Sequence, residues 1–211
     1  MESFRVLTAT AAPLLRENVD TDVIIRIERL VGATGRDELG RWCFAALRYR
    51  PDGSENPDFV LNQTPFRGAK ILLAGPNFGC GSSREGAVWA MMQMGLRSVI
   101  APSFGDIFYN NCFQNGMLPV VLSAADIATI VAEIAPDAPS TPVTVDLVKS
   151  VVVSPGGRTY PFSIPGLRRE ALLDGLDEIG LTLKREGEIA SHQARDRARR
   201  PWIYQTVEAH S

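Results

Sequence analysis

Apolar positions along the chain fall into short runs broken by turn chemistry or by helical spacing. "FRVLTATAA" reads as an opening strand, and "NVDTDVIIRI" puts turn residues before a short β-branched run at 23–27. Residues 28–40 hold three glycines and mixed charge, which predicts a mobile loop. "RWCFAALRY" has helical spacing, and the Pro-, Asp-, Gly- and Asn-rich stretch 50–69 is irregular. "KILLA" at 70–74 is apolar on both faces of a strand, as are "RSVIA" and "MLPVVL". Helical patterns over 83–95 and 103–116 separate these strands, so the middle of the chain predicts βαβ units with parallel pairing. Ser103 with Asp106, and Ser123 before "AADIATIVAEIA", carry N-cap chemistry, while Asn115-Gly116 is a stop. "DAPSTPV" is a linker, and "TVDLVKSVVVSPGGRTYPFSI" reads as two strands around a Pro-Gly-Gly turn. A short helical region over 165–183 and a charged, locally basic helix at 184–211 close the chain. The pattern predicts one α/β domain at 1–183 with mixed strand pairing and no second core, followed by a solvated tail.

One corner of this pattern is overloaded. Residues 75–92, "GPNFGCGSSREGAVWAMM", place four glycines, two serines, Arg84 and Glu85 between a strand and a helix. Ser82-x-x-Glu85 fits a capping box in which each residue serves the other's backbone N–H. A capping box leaves Ser83, Arg84 and the glycines unexplained. A second reading is an anion site: unpaired N–H groups at the helix start favour negative charge, and glycines admit a ligand to the main chain. Arg84 adds a planar fork suited to a carboxylate or phosphate. Three glycine motifs do not fit. The P-loop lacks its lysine; the dinucleotide fingerprint meets Arg84 where it needs glycine; the nucleophile elbow meets Glu85 where it needs glycine.

Composition narrows the chemistry. The chain has 211 residues, 45% of them hydrophobic, and a formal net charge of −2. That supports one substantial core and suggests no nucleic-acid or membrane partner. No apolar run approaches the length of a membrane span, and the start lacks signal-peptide order, so a cytoplasmic protein is expected. The three cysteines, Cys43, Cys80 and Cys112, are far apart with no CxxC, which predicts free thiols and no metal site in this chain. The only histidines are His192 and His210, so a Ser–His–Asp triad would have to recruit the tail.

Four segments in order, "NVDTDVII", "GPNFGCGSSREGA", "IAPSFGDIFYNNCFQNGMLPV" and "LLDGLDEIGLTL", resemble the small subunits of 3-isopropylmalate dehydratase. That family is similar in turn to the C-terminal swivelling domain of aconitases. The resemblance covers roughly residues 3–183. It implies a swivelling β/β/α domain with a mixed, partly barrel-like sheet and flanking helices. It implies a large-subunit partner that carries a [4Fe–4S] cluster, and a small dicarboxylic hydroxy acid as substrate. It implies that Ser82 is the base that takes the carbon-bound proton and that Asp22 belongs to the active site. Ser83, Arg84 and Gly81 match substrate contacts, and Arg29 and Arg36 fall in the substrate-recognition segment. The chain departs from the family pattern at Gly86, where His is usual, and at Arg26-Ile27, where Pro-Lys is usual. A hydro-lyase for methylmalate, dimethylmalate or homoaconitate would share the core residues. A carboxylate-binding module without chemistry is the alternative of a different class.

Overall fold

A computed structural model describes residues 1–31, 38–82, 84–134 and 141–205. Its centre is a parallel sheet of four strands: β2 (Ala11–Leu14), β3 (Ile71–Ala74), β4 (Ser98–Ala101) and β5 (Leu118–Val121), adjacent in that order. The crossovers are α5 (Glu85–Gln93) between β3 and β4, and α6 (Asp106–Asn115) between β4 and β5. A second, antiparallel sheet has the order β1 (Val6–Ala9), β6 (Val143–Asp146), β7 (Val151–Val153) and β8 (Thr159–Pro161). The α/β class with both kinds of pairing is as expected, and each kind keeps to its own sheet.

The parallel sheet divides the interior in two. Ala12, Leu72, Ala74, Val99 and Ala101 face a cluster built with the helices, including Ala87, Val88 and Met91 of α5. Ile71, Leu73, Ile100, Leu118 and Val120 face the other way, toward Val143, Val145 and Val152 of the antiparallel sheet. Strand side chains alternate between faces, so a run that is apolar throughout needs partners on both sides. The single core expected from the sequence is therefore two clusters with a sheet between them.

Several local expectations are corrected. The opening run is two strands that leave Thr10 to join different sheets, because β1 pairs with β6 and β2 with β3. The β-branched run after "NVD" is helical at α1 (Thr21–Ile24): Asp20 caps it, accepting from the Val23 N–H at 2.7 Å. The segment expected as a mobile loop contains α2 (Ile27–Val31) and enters α3 (Leu39–Trp42); residues 32–37 lie outside the described residues. The predicted helix at 41–49 breaks at Phe44, buried at φ 55°, before α4 (Ala45–Arg48) begins. Ser103 does not cap α6; its Oγ accepts from the Asn77 N–H at 2.8 Å. The predicted two-stranded hairpin has three strands, since Ser150 at φ 55° turns the chain between β6 and β7.

Ser123 caps α7 (Ala124–Glu133) as its sequence predicts. The last described elements are α8 (Gly166–Asp174), α9 (Glu178–Leu183), α10 (Glu186–Arg199) and α11 (Pro201–Gln205), and α10 buries no residue. Among the described residues no helix is long and apolar enough to cross a membrane.

Candidate functional site

The glycine-rich turn lies between two other segments that run beside it. On one side the parallel pairing of β2 with β3 continues past the strands: Asn18 N–H donates to Pro76 O, Gly79 N–H to Val19 O, and Thr21 N–H to Cys80 O at 3.0, 2.7 and 3.0 Å. On the other side Phe78 N–H donates to Ser103 O and Gly105 N–H to Phe78 O, at 3.1 and 2.9 Å. This lateral pairing carries α1 to the start of α5, although the two are some sixty residues apart in sequence. At Gly79 the turn has no room for a side chain. Gly79 has φ 71°, and a Cβ there would lie 2.2 Å from Cγ of Phe108.

Three predicted site residues meet at this corner. Arg84 occupies the N-cap position of α5 without a side-chain cap bond, and its guanidinium donates to the Asp22 carboxylate. The arginine side chain is 16% exposed and the aspartate 54%, so a largely buried cation meets a carboxylate open to solvent. Ser82 is exposed beside them. Its carbonyl accepts from Thr21 Oγ1 at 3.2 Å and from the Arg84 N–H at 2.9 Å. Gly81, at φ 90°, lies against Asp20 and Thr21. The positive end of the α5 dipole adds a field that favours an anion.

The capping box is not formed. Ser82 stands two residues before the N-cap, and Glu85 turns away from it to accept from Asn115 Nδ2 at 2.8 Å. Asn115 also accepts from Trp89 Nε1 at 2.9 Å, so one amide ties two points of α5 to the end of α6. Thr21 and Asn115 are contributors that sequence reasoning missed. Thr21 stood in a recognised motif, but only the fold shows that its N–H and hydroxyl hold Cys80 and Ser82 together.

Arg29 takes a different position. It lines an open cavity of about 950 Å³ that is also lined by Asp22, Arg26, Arg41, Trp42 and Arg50. Its guanidinium lies 3.5 Å from the centre of the Trp42 ring, a cation–π contact. Arg41 approaches the same ring at 5.0 Å and pairs with Glu38 at 3.0 Å. Ser83 and Arg36 lie outside the described residues.

The described residues do not offer donors that fit a cluster. Iron–sulfur clusters are held by thiolates, and burial pushes the thiols of Cys43 and Cys112 far up. Among the described residues no group of three His, Cys, Asp or Glu could hold a metal ion.

Known proteins are similar to this chain in sequence and in fold. The family model described as the aconitase C-terminal domain matches residues 1–125. The model for the C-terminal domain of 3-isopropylmalate dehydratase small subunits matches residues 178–205. A 3-isopropylmalate dehydratase small subunit from Rhodospirillum centenum is 49% identical over 96% of this chain and 98% of its own length. One from Gluconacetobacter diazotrophicus is 50% identical over 96% and 97%. The crystal structure of a 3-isopropylmalate dehydratase from Methanocaldococcus jannaschii has a TM-score of 0.63 and 31% identity, covering 89% of this chain and 99% of that one.

Proposed function

The chain belongs to the family of 3-isopropylmalate dehydratase small subunits, and from that premise we propose that it completes the active site of such a hydro-lyase. In this reading it pairs with a large subunit in the cytoplasm and interconverts 2- and 3-isopropylmalate by dehydration and rehydration, a step of leucine biosynthesis. The [4Fe–4S] cluster belongs to the large subunit and supplies Lewis-acid chemistry there.

The observation that carries the proposal is the junction of Asp22, Ser82 and Arg84 at the start of α5. A serine hydroxyl is a poor base unless its alkoxide is stabilised. The Arg84 cation and the helix start supply that stabilisation without reorganisation, an effect worth about 3 kcal/mol of barrier for one such donor. Ser82 Oγ takes the carbon-bound proton of the diacid. Arg84 keeps donors beyond the one given to Asp22 and holds a substrate carboxylate, with Gly81 and Ser83 contributing main-chain and hydroxyl contacts. Asp22 holds Arg84 in place. Arg29 and Arg36 serve the substrate's far end.

The test is reconstitution with the large subunit. Ser82→Ala is expected to abolish isomerisation of 3-isopropylmalate while circular dichroism and association of the two subunits are unchanged. Turnover near the wild-type rate in that variant would remove Ser82 as the base.

A further inference from the structure

Gly86 lies in the first turn of α5, outside the contacts that join Asp22, Ser82 and Arg84. It is buried. A Cβ at this position would lie 2.5 and 2.7 Å from the two methyl carbons of Leu30 and 3.2 Å from its Cγ. Leu30 therefore occupies the space that any other residue at 86 would fill.

That matters because α2 has few other anchors. None of its residues is fully buried. Leu30 on Gly86 holds one side of it, and Arg29 over Trp42 at 3.5 Å holds the other. The next helix has its own seat: a Cβ on Gly40 of α3 would lie 2.6 Å from the Gln93 carbonyl oxygen of α5. Arg26 and Arg29, just before and within α2, line the cavity together with Asp22, Arg41, Trp42 and Arg50.

We propose that Gly86 is a specificity-determining position: by seating Leu30 on α5 it holds α2 back, and so sets the size of alkyl substituent that the substrate can carry. This rests on the dehydratase reading above. A side chain at 86 displaces Leu30, moves α2 toward the cavity and discriminates against a branched substituent while a methyl group still fits. One methylene in an apolar pocket is worth roughly 10–200-fold in selectivity, so the change in preference is readable by kinetics.

The experiment uses the enzyme reconstituted with its large subunit and compares kcat/KM for 3-isopropylmalate and for methylmalate. The atoms that collide belong to Leu30, on a helix with no fully buried residue, so Gly86→Ala is accommodated by a shift of Leu30 together with α2 and the protein folds. In Gly86→Ala the preference for isopropylmalate over methylmalate is expected to fall about tenfold. Removing the displaced side chain in Gly86→Ala/Leu30→Ala is expected to restore at least half of that change on a logarithmic scale. A purely structural role would lower both substrates alike. An active wild-type enzyme whose preference is unmoved by Gly86→Ala would overturn this inference and leave the dehydratase reading standing. A wild-type pair inactive on both diacids would overturn the dehydratase reading, and this inference with it.

Discussion

Gly79→Ala tests why the corner before α5 is built from glycine. Two separate costs arise at this position. The residue has φ 71°, and placing an alanine in the left-handed region costs about 1 kcal/mol. The new Cβ would also stand 2.2 Å from Cγ and 2.7 Å from Cβ of Phe108. That ring is 2% exposed and packs edge-on against Phe78 at 5.5 Å, so it has no empty space to enter. Overpacking of this kind adds about 2 kcal/mol. The expected loss is thus about 3 kcal/mol, or about 6–12 °C in Tm for a chain of this length. Gly157→Ala separates the two costs: Gly157 has φ 82° with nothing within 4 Å of its would-be Cβ, so only the backbone cost applies, about 1 kcal/mol. Alanine's smaller unfolded-state entropy favours both variants alike and cancels in the difference. Urea and thermal unfolding followed by circular dichroism measure both. Equal losses in the two variants would refute the claim that close approach of Phe108, beyond backbone freedom, demands glycine at 79.

Two further outcomes are expected. Asn115→Ala removes a bond from Trp89 Nε1 and a charge-assisted bond to Glu85, both only partly buried, so about 2 kcal/mol is lost; with m near 2 kcal/mol/M the urea midpoint drops by about 1 M, and a change under about 0.3 M would show that the amide does not hold α5 to α6. Burial raises the Cys43 and Cys112 thiols far above the ordinary range while Cys80 is partly exposed, so a thiol reagent at about pH 8 should label Cys80 alone in the native chain and all three in denaturant, and native labelling of Cys112 would contradict its burial.

Strands β3, β4 and β5 of the parallel sheet were legible in the sequence because, Ser98 apart, they are short apolar runs, and a run of that kind fits only where both faces are covered. Ser123 was legible too, since its cap partner is the Asp126 N–H three residues on. Signals whose partners lie within one turn of chain need no tertiary information. Ser82 and Glu85 carried an equally good local pattern, yet Glu85 bonds to Asn115, thirty residues away, once α6 packs beside it. The run Val23, Ile24, Ile25 reads as strand by propensity, but Asp20 caps a helix there, and Ile24 and Ile25 are fully buried among the helices. The motif around Asp22 and the motif around Arg84 were each visible as sequence. Their meeting was not, because it depends on the backbone pairing of residues 18–21 with 76–80, and main-chain hydrogen bonds have no side-chain signature. Gly86 shows the same division. The chain's own letters mark it as a residue without a side chain, and only the packing of α2 on α5 shows that Leu30 fills the space it leaves.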